Sequence, residues 1–527
     1  MIRITLSVLI LVASSLASAQ EPLVAASYLG KESKIALQDA ILLALQNNLN
    51  LQIERTRPAI ASEAVELARG AYDPFLRFSH TFNHNENPVA NPIQDLADPN
   101  RSIDRIDEDE WRTDGGFSGI LPLGLSYSSS YNVRRLESNS VFTSLDPEWR
   151  SDWRSEIRLP LLKDLFENDA SVTVKRSRIA EATSYEDFRA RLRDEVRQVA
   201  DAYWDLAAAR AELRVEEKSR QTAQNLLEQT RVRYEVGVVS KVSVTQAEAG
   251  VAERDFRVIV AANRSENLQD VLLNLVLAPG AAGFASTKLI PNDPAYIEYN
   301  VELESAIERA LAQRAELAAA QNQVEDAEVQ LSFGENQRLP ALDLLASYRF
   351  SGLSGDAKEG ATVTVDAGFS SSNDAFFRND GDRSWSLGGE VSIPLPNTSA
   401  RALVVQRRIE LRRARTNLRR VERRVILEVR GAVRALRSAV DGVEAAERNR
   451  LAREEALRAE QEKLRLGDST PHDVLQFEDD LVDSERQKIA ALRTYQNAIT
   501  GVERNQGTLL ETRGISVEDE LQRGSGR

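Results

Sequence analysis

Twice in this chain, from Lys163 to Glu235 and from about Ala400 to Leu466, some 70 residues pass without a proline and with few glycines. Ala, Leu, Glu, Gln and Arg dominate both stretches, and these side chains lose little freedom on entering a helix. At 1.5 Å per residue each predicted helix reaches roughly 100 Å. A globular domain has no use for rods of that length. Coiled-coil-like packing does, through apolar seams such as Leu206 with Leu213 and Leu457 with Leu464, each pair one heptad apart. The shorter predicted helices, 35–72, 241–276, 303–337 and 471–512, are each about half that length, so two stacked end to end match one rod.

The rods come in pairs because the chain is duplicated. "LQDAILLALQNNLNLQ" from Leu37 resembles "LESAIERALAQRAELA" from Leu303 at an offset of 266, which also carries Pro74 to Pro340. Farther along, "YEVGVVSKVSVTQAE" from Tyr234 and "LRLGDSTPHDVLQFE" from Leu464 stand 230 apart, pairing Gly237 with Gly467, Ser240 with Thr470 and Glu248 with Glu478. Each half is therefore expected to run helix, extended segments, very long helix, turn, helix. The first repeat covers 20–290, with extended segments at 74–160, a tip turn at 236–240 and a linker at 277–300. The second covers 301–512, with extended segments at 340–394 and a tip turn at 467–470. A flexible tail, 513–527, is expected to follow.

Both turns have the grammar of a tight helical hairpin. Gly237 and Gly467 stand where a helix ends and a left-handed residue is wanted. Ser240 and Thr470 can cap the returning helix, Pro471 suits its first position, and Asp473 falls third, where a carboxylate meets exposed amides. Asp473 is at this point either a cap or a functional carboxylate.

Between the helices the pattern changes to period two. Leu123, Leu125, Tyr127, Ser129, Tyr131 and Val133 alternate with small and polar residues, as do Trp153, Ser155, Ile157 and Leu159. Leu342, Leu344, Ala346, Tyr348 and Phe350 alternate likewise, followed by Trp385, Leu387, Val391 and Ile393; Phe75 to His84 fits less well. Such two-faced runs mark transmembrane β-strands, and Trp111, Trp149, Trp153 and Trp385 lie where an interfacial girdle would place them. Polar stretches such as "IDRIDEDE" and "SGDAKEGATVTVDAG" are expected to be loops outside the cell. Roughly four strands cannot close a membrane barrel, which needs at least about eight, so several copies would have to share one.

The start of the chain agrees with export. Arg3, the apolar run Ile4 to Leu16 and Ala17-Ser18-Ala19 have the form of a signal peptide over 1–19. No later stretch has about 18 apolar residues, so a membrane-spanning helix is not expected. Cysteine is absent, which excludes disulfides and Cys-zinc chemistry. A net charge of −14 opposes a nucleic-acid partner. Thirteen arginines against three acids between Arg401 and Arg437 raise that possibility locally, but a solvated helix face, or one meeting lipid phosphates, suits an exported chain better. His80 and His84, four apart on a strand, stand about 13 Å from one another and make no metal pair. No grouping of nucleophile, base and orienter is visible, so no enzyme activity and no cofactor is expected.

These features together resemble the TolC family of outer-membrane efflux and secretion ducts over nearly the whole mature chain. The carriers are the duplicated halves, the "LQDAILLALQNN" opening, the "LPLL" and "IPLP" strand exits at Pro160 and Pro394, and the two tips. The resemblance implies a mainly α fold with a membrane β-barrel: a long antiparallel α-helical coiled-coil barrel continued by a twelve-stranded β-barrel that a homotrimer shares. It implies a periplasmic adaptor, an inner-membrane pump and outer-membrane lipid as partners, and passive conduction in drug efflux or type I secretion. Of the family's paired acidic pore residues, the first falls on Asp473 and the second position is Gln476. Tyr234 keeps the tip tyrosine in the first half only, where the second has Leu464, and Ser469 stands where an arginine is frequent, so the residues for a gate of ionic links are incomplete. Gly237, Val238, Ser240, Gly467, Asp468 and Thr470 are the expected adaptor contacts. The extra material between residues 85 and 150 is expected mainly in an extended extracellular hairpin. The competing class is a soluble periplasmic coiled-coil scaffold with a β-domain, which would show no conductance.

Overall fold

The computed structural model describes residues 32–88, 105–140, 142–277, 286–358, 365–366, 368–378 and 382–524. The expected signal peptide and part of the linker at 277–300 lie outside these residues. The chain divides into two compact units, one of residues 1–56, 188–315 and 422–527 and the other of 57–187 and 316–421.

The first unit is helical. It holds α1 (Leu37–Asn47), the start of α2 (Leu49–Arg69), most of α3 (Asp169–Glu235), α4 (Lys241–Val276) and α5 (Leu303–Gln313). The following helix, α6 (Ala315–Gln337), belongs almost wholly to the other unit. On α3, Leu192, Val196, Val199, Tyr203 and Leu206 recur at spacings of four and three and are all buried, the pattern of a coiled-coil seam. Each such side chain, fully buried, stabilises by about 1.5–3 kcal/mol. A parallel two-stranded ribbon, β1 (Glu32–Ile35) with β6 (Lys288–Pro291), is fastened to α3 by Tyr203. Its hydroxyl donates to the Ile35 carbonyl at 3.0 Å and accepts from the Asn292 amide at 2.9 Å.

The helices expected over 35–72 and 303–337 are each broken once, at Asn48 and at Arg314. Asn48 leaves the helical region and its Oδ1 accepts from the amides of Asn50 and Leu51 at 2.8 and 3.2 Å, so it caps the helix that follows. Arg314 is extended, and its buried guanidinium reaches Glu428 at 2.8 Å. Helix periodicity runs straight through both positions, and each break is also held by a distant partner, Asn48 donating through its side-chain amide to Glu195 at 3.0 Å.

The rest of this unit comes from the C-terminal part of α8 (Thr398–Leu466), from α9 (Pro471–Gln506), and from α10 (Leu509–Thr512) and α11 (Val517–Gly524). Leu436, Ala439 and Val443 of α8 bury against Tyr495, Ile499 and Val502 of α9. The segment expected as a flexible tail instead forms α11, held by buried Val517 and a buried ion pair between Arg55 and Glu520.

The second unit carries the sheet. Six antiparallel strands follow one another in order: β2 (Phe75–Pro88), β3 (Arg105–Ile120), β4 (Ser126–Ser138), β5 (Leu145–Pro160), β7 (Ala341–Ala357) and β8 (Asp382–Ser392). Four strands were expected, so the twelve-stranded count for three copies does not follow from this sheet. "IDRIDEDE" is strand from Arg105 onward, paired with both β2 and β4, rather than loop. Its acids hid the alternation, because Trp111 and Phe117 are the only large apolar residues on their face of β3. The sheet is open, with β2 and β8 at its edges.

A short helix, α7 (Phe369–Arg378), covers one end of the sheet, where Tyr131 donates to Asn373 at 2.6 Å and Trp149 packs on Phe369. Gly352 lets it come close: a Cβ there would stand 2.3 Å from the Ser372 carbonyl oxygen. In the same unit the arginine-rich start of α8 pairs with α6, Arg408 with Glu335 at 2.9 Å and Arg415 with Glu328 at 2.8 Å. Part of that basic stretch is thus a ladder between helices.

Candidate functional site

Directly opposed residues in a sheet share a face, and the register carries two unlike faces across all six strands. On one face Leu76 opposes Phe117, Phe82 opposes Trp111, Tyr131 opposes Trp153 and Tyr348 opposes Trp385. Phe82 and Trp111 pack tilted with ring centroids 4.9 Å apart, and Trp153 meets Tyr348 edge-on at 5.7 Å. Much of this face is bare: Leu76 is 81%, Phe78 74% and Trp385 76% exposed. An aqueous surface does not keep such a patch without a partner or a lipid to cover it.

The opposite face is polar. Arg134 meets Glu110 at 2.9 Å, Arg349 meets Asp152 at 2.7 Å, Arg158 meets Asp343 at 2.5 Å, and Ser347 bonds Ser386 at 2.8 Å. A concavity of about 820 Å³ opens there, lined among others by Asp73, Ser118, Ser128, Arg154, Glu156 and Ser386. Among the described residues no helix is long and apolar enough to cross a membrane.

At one end of β2 and β3, His84 Nδ1 donates to Asp109 at 2.7 Å and lies 3.5 Å from Asp107. The ligand atoms of these three residues lie within 4.8 Å of one another. His84 and Asp107 are exposed, and an ion pair across two strands accounts for the arrangement.

The two hairpin turns share one backbone device. At the first, the Val238 amide donates to Arg233 O at 2.8 Å and Gly237 to Tyr234 O at 2.9 Å; at the second, Asp468 donates to Lys463 O at 2.9 Å and Gly467 to Leu464 O at 3.3 Å. This six-to-one with five-to-two pattern needs a left-handed residue, supplied by Gly237 at φ +81° and Gly467 at φ +90°. The side chains differ. Thr470 Oγ1 accepts from the Asp473 amide at 3.2 Å, and the Asp473 carboxylate answers the Thr470 amide at 3.2 Å, closing a capping box. Ser240 precedes its helix but makes no capping bond. The hydrogen bonds from Thr470 hold the Asp473 carboxyl below its usual range, so it stays charged. Val238, Tyr234 and Asp468 are exposed; Gln476 is on the second turn of α9.

Sequence reasoning missed a cluster just behind these turns. Arg254 of α4 is 1% exposed and reaches Ser219 of α3 at 3.1 Å and, on α9, the Leu475 carbonyl at 3.3 Å and Asp479 at 2.9 Å. Gly250 permits the approach, since a Cβ there would stand 2.9 Å from Leu475. Glu478 is buried beside it, its Oε2 3.8 Å from Arg254 and without a hydrogen bond. Burial pushes the Glu478 carboxyl up to about 7, against the pull of Arg254. Arg257 joins Asp479 at 3.0 Å, and Arg486 approaches buried Glu216 at 3.7 Å. The only sequence signal was the pairing of Glu478 with Glu248, which does not reveal burial.

Solved structures share this fold. The chain matches the CmeC outer membrane channel of Campylobacter jejuni with TM-score 0.63 at 14% identity, covering 93% of this chain and 89% of that one. For the outer membrane protein VceC of Vibrio cholerae the values are 0.61, 17%, 89% and 96%. For the open state of the MtrE outer membrane channel of Neisseria gonorrhoeae they are 0.60, 15%, 90% and 89%. No curated protein matches by sequence. The family model "Outer membrane efflux protein" matches residues 120–272 and 306–507, more than half of the chain. With the fold, the two-faced sheet and the paired helical hairpins all in agreement, this chain belongs to the outer membrane efflux protein family.

Proposed function

We propose that the chain is the outer-membrane exit duct of a tripartite export system, conducting its substrate passively while an inner-membrane pump supplies the energy. Three copies share a barrel, the bare aromatic face of the sheet turned to lipid and the charged face to the lumen. The repeats, with bounds near 20–290 and 301–512, continue the duct into the periplasm as paired helices. The single observation that carries this reading is the sheet, whose aromatic face, away from the end that α7 packs on, is bare on β2, β3, β5, β7 and β8, and whose two edges are unpaired. A scaffold living wholly in water would have to hide both.

The tips are the working end. Tyr234, Asp473 and Gln476 surround the pore, where a charged Asp473 from each copy focuses negative potential. Gly237, Val238, Ser240, Gly467, Asp468 and Thr470 form the turns that meet the adaptor. Reconstitution into a planar bilayer tests the duct: stepwise conductance is expected, and a protein that stays in solution without detergent and never conducts would end the proposal. Gly467→Val forces a β-branched residue into the left-handed region and is expected to abolish co-purification with the adaptor while leaving the barrel intact. Adaptor recovery at the wild-type level would remove the turns from that interface.

A further inference from the structure

Six strands per copy change the barrel. Resting on the trimeric reading above, we infer that β8 of one copy pairs antiparallel with β2 of the next and that the closed barrel has eighteen strands. Every neighbouring pair of the six strands is antiparallel, so β2 and β8 run in opposite senses. An even number of strands lets every junction between copies be antiparallel, like those within each copy. Both edge strands also keep the two-faced pattern to the rim, with Leu76 and Phe78 on β2 and Trp385 and Leu387 on β8 exposed on the aromatic side. An edge covered by some unlike partner would have no reason to present a membrane face. Six strands are too few to close a membrane barrel on their own, so a second copy of this chain is the occupant that fits.

The consequence is a wider pore. With strands about 4.8 Å apart and tilted by about 40°, twelve strands enclose a ring about 24 Å across between backbones, and eighteen a ring about 36 Å across. Eighteen-stranded barrels leave an open aqueous channel. The lumen would carry three copies of the Arg349–Asp152 and Arg134–Glu110 pairs, a wall of mixed charge suited to bulky polar cargo.

Because the chain has no cysteine, cross-linking in the full-length protein counts the strands. Asp114 and Asn132 oppose one another on β3 and β4, and Asp152 and Ser351 on β5 and β7. Asp114→Cys with Asn132→Cys and Asp152→Cys with Ser351→Cys are each expected to form a disulfide within one chain in outer-membrane preparations. Ser79→Cys on β2, scanned against cysteines at Ser384, Ser386 and Ser392 of β8, is expected to link neighbouring copies into a ladder that stops at three. End-on electron micrographs are expected to show a ring about 36 Å across. A disulfide between Ser79→Cys of β2 and Asp152→Cys of β5, which lie at one level with β3 and β4 between them, or a ring near 24 Å, would mean that the β3–β4 hairpin stands outside a twelve-stranded barrel and would overturn the inference. A particle of single-copy mass whose intrachain disulfides still form would instead overturn the trimer beneath it.

Discussion

Glu248 and Glu478 occupy the same place after their two turns, 230 residues apart, and the fold treats them oppositely. Glu248 is exposed and pairs with Arg231 of its own hairpin at 2.7 Å, whereas Glu478 is buried beside Arg254, a residue of the other hairpin. The turns differ in the same sense: the second is closed by the Thr470–Asp473 box, the first only by backbone bonds. The two hairpins share one backbone turn, and the side chains behind their tips are complementary. One offers a buried cation, the other the acids that receive it.

Arg254 is the side chain on which the two hairpins depend most. Arg254→Ala leaves Asp479 and Glu478 without their buried partner and is expected to cost about 3–5 kcal/mol, read as lost hydrogen-exchange protection in α4 and α9 around Gly250 and Leu475. Protection unchanged from wild type would mean that the hairpins do not depend on this contact.

Glu478 comes next. Its carboxyl sits at about 7 in the fold against an ordinary 4.5, so the folded form holds its proton where the unfolded chain has released it. The contribution is fully present below pH 4.5 and is lost as pH rises through about 7, a change of about 3 kcal/mol. Glu478→Gln is expected to flatten the pH dependence of exchange protection across that window and to be the more stable form at pH 8. Glu248→Gln, at an exposed pair, is expected to move stability by no more than about 0.5 kcal/mol at any pH. Equal pH profiles for the two variants would erase the contrast.

The smallest effect sharpens the turns. Thr470→Ala removes a capping box and is expected to cost about 1 kcal/mol in the first turn of α9, while Ser240→Ala is expected to change α4 by a few tenths at most. Exchange rates of the amides at Val474 and Val244 report the two helices separately.

Much of the architecture was legible because it depends on local rules. Helix-forming residues without proline, and glycines at the ends of two rods, mark α3, α8 and the turns whatever they pack against. Alternation marked β4, β5, β7 and β8. It failed on β3, where charges at Asp107, Asp109 and Glu110 resemble a loop until Phe82 and Tyr131 lie alongside. At the tips, Asp473 showed its capping role in the sequence, but nothing there singled out Arg254.

By itself, then, the sequence determined the periods: 3.6 for the rods, two for the strands, and the left-handed residue at each turn, since these follow from backbone sterics and from which side chains fall on one face. Only the tertiary structure decided where helices break at Asn48 and Arg314, how many strands enter the sheet, and which of two equivalent glutamates is buried. Those outcomes depend on residues brought together from distant parts of the chain, and desolvation and pairing energies arise only once the partners meet.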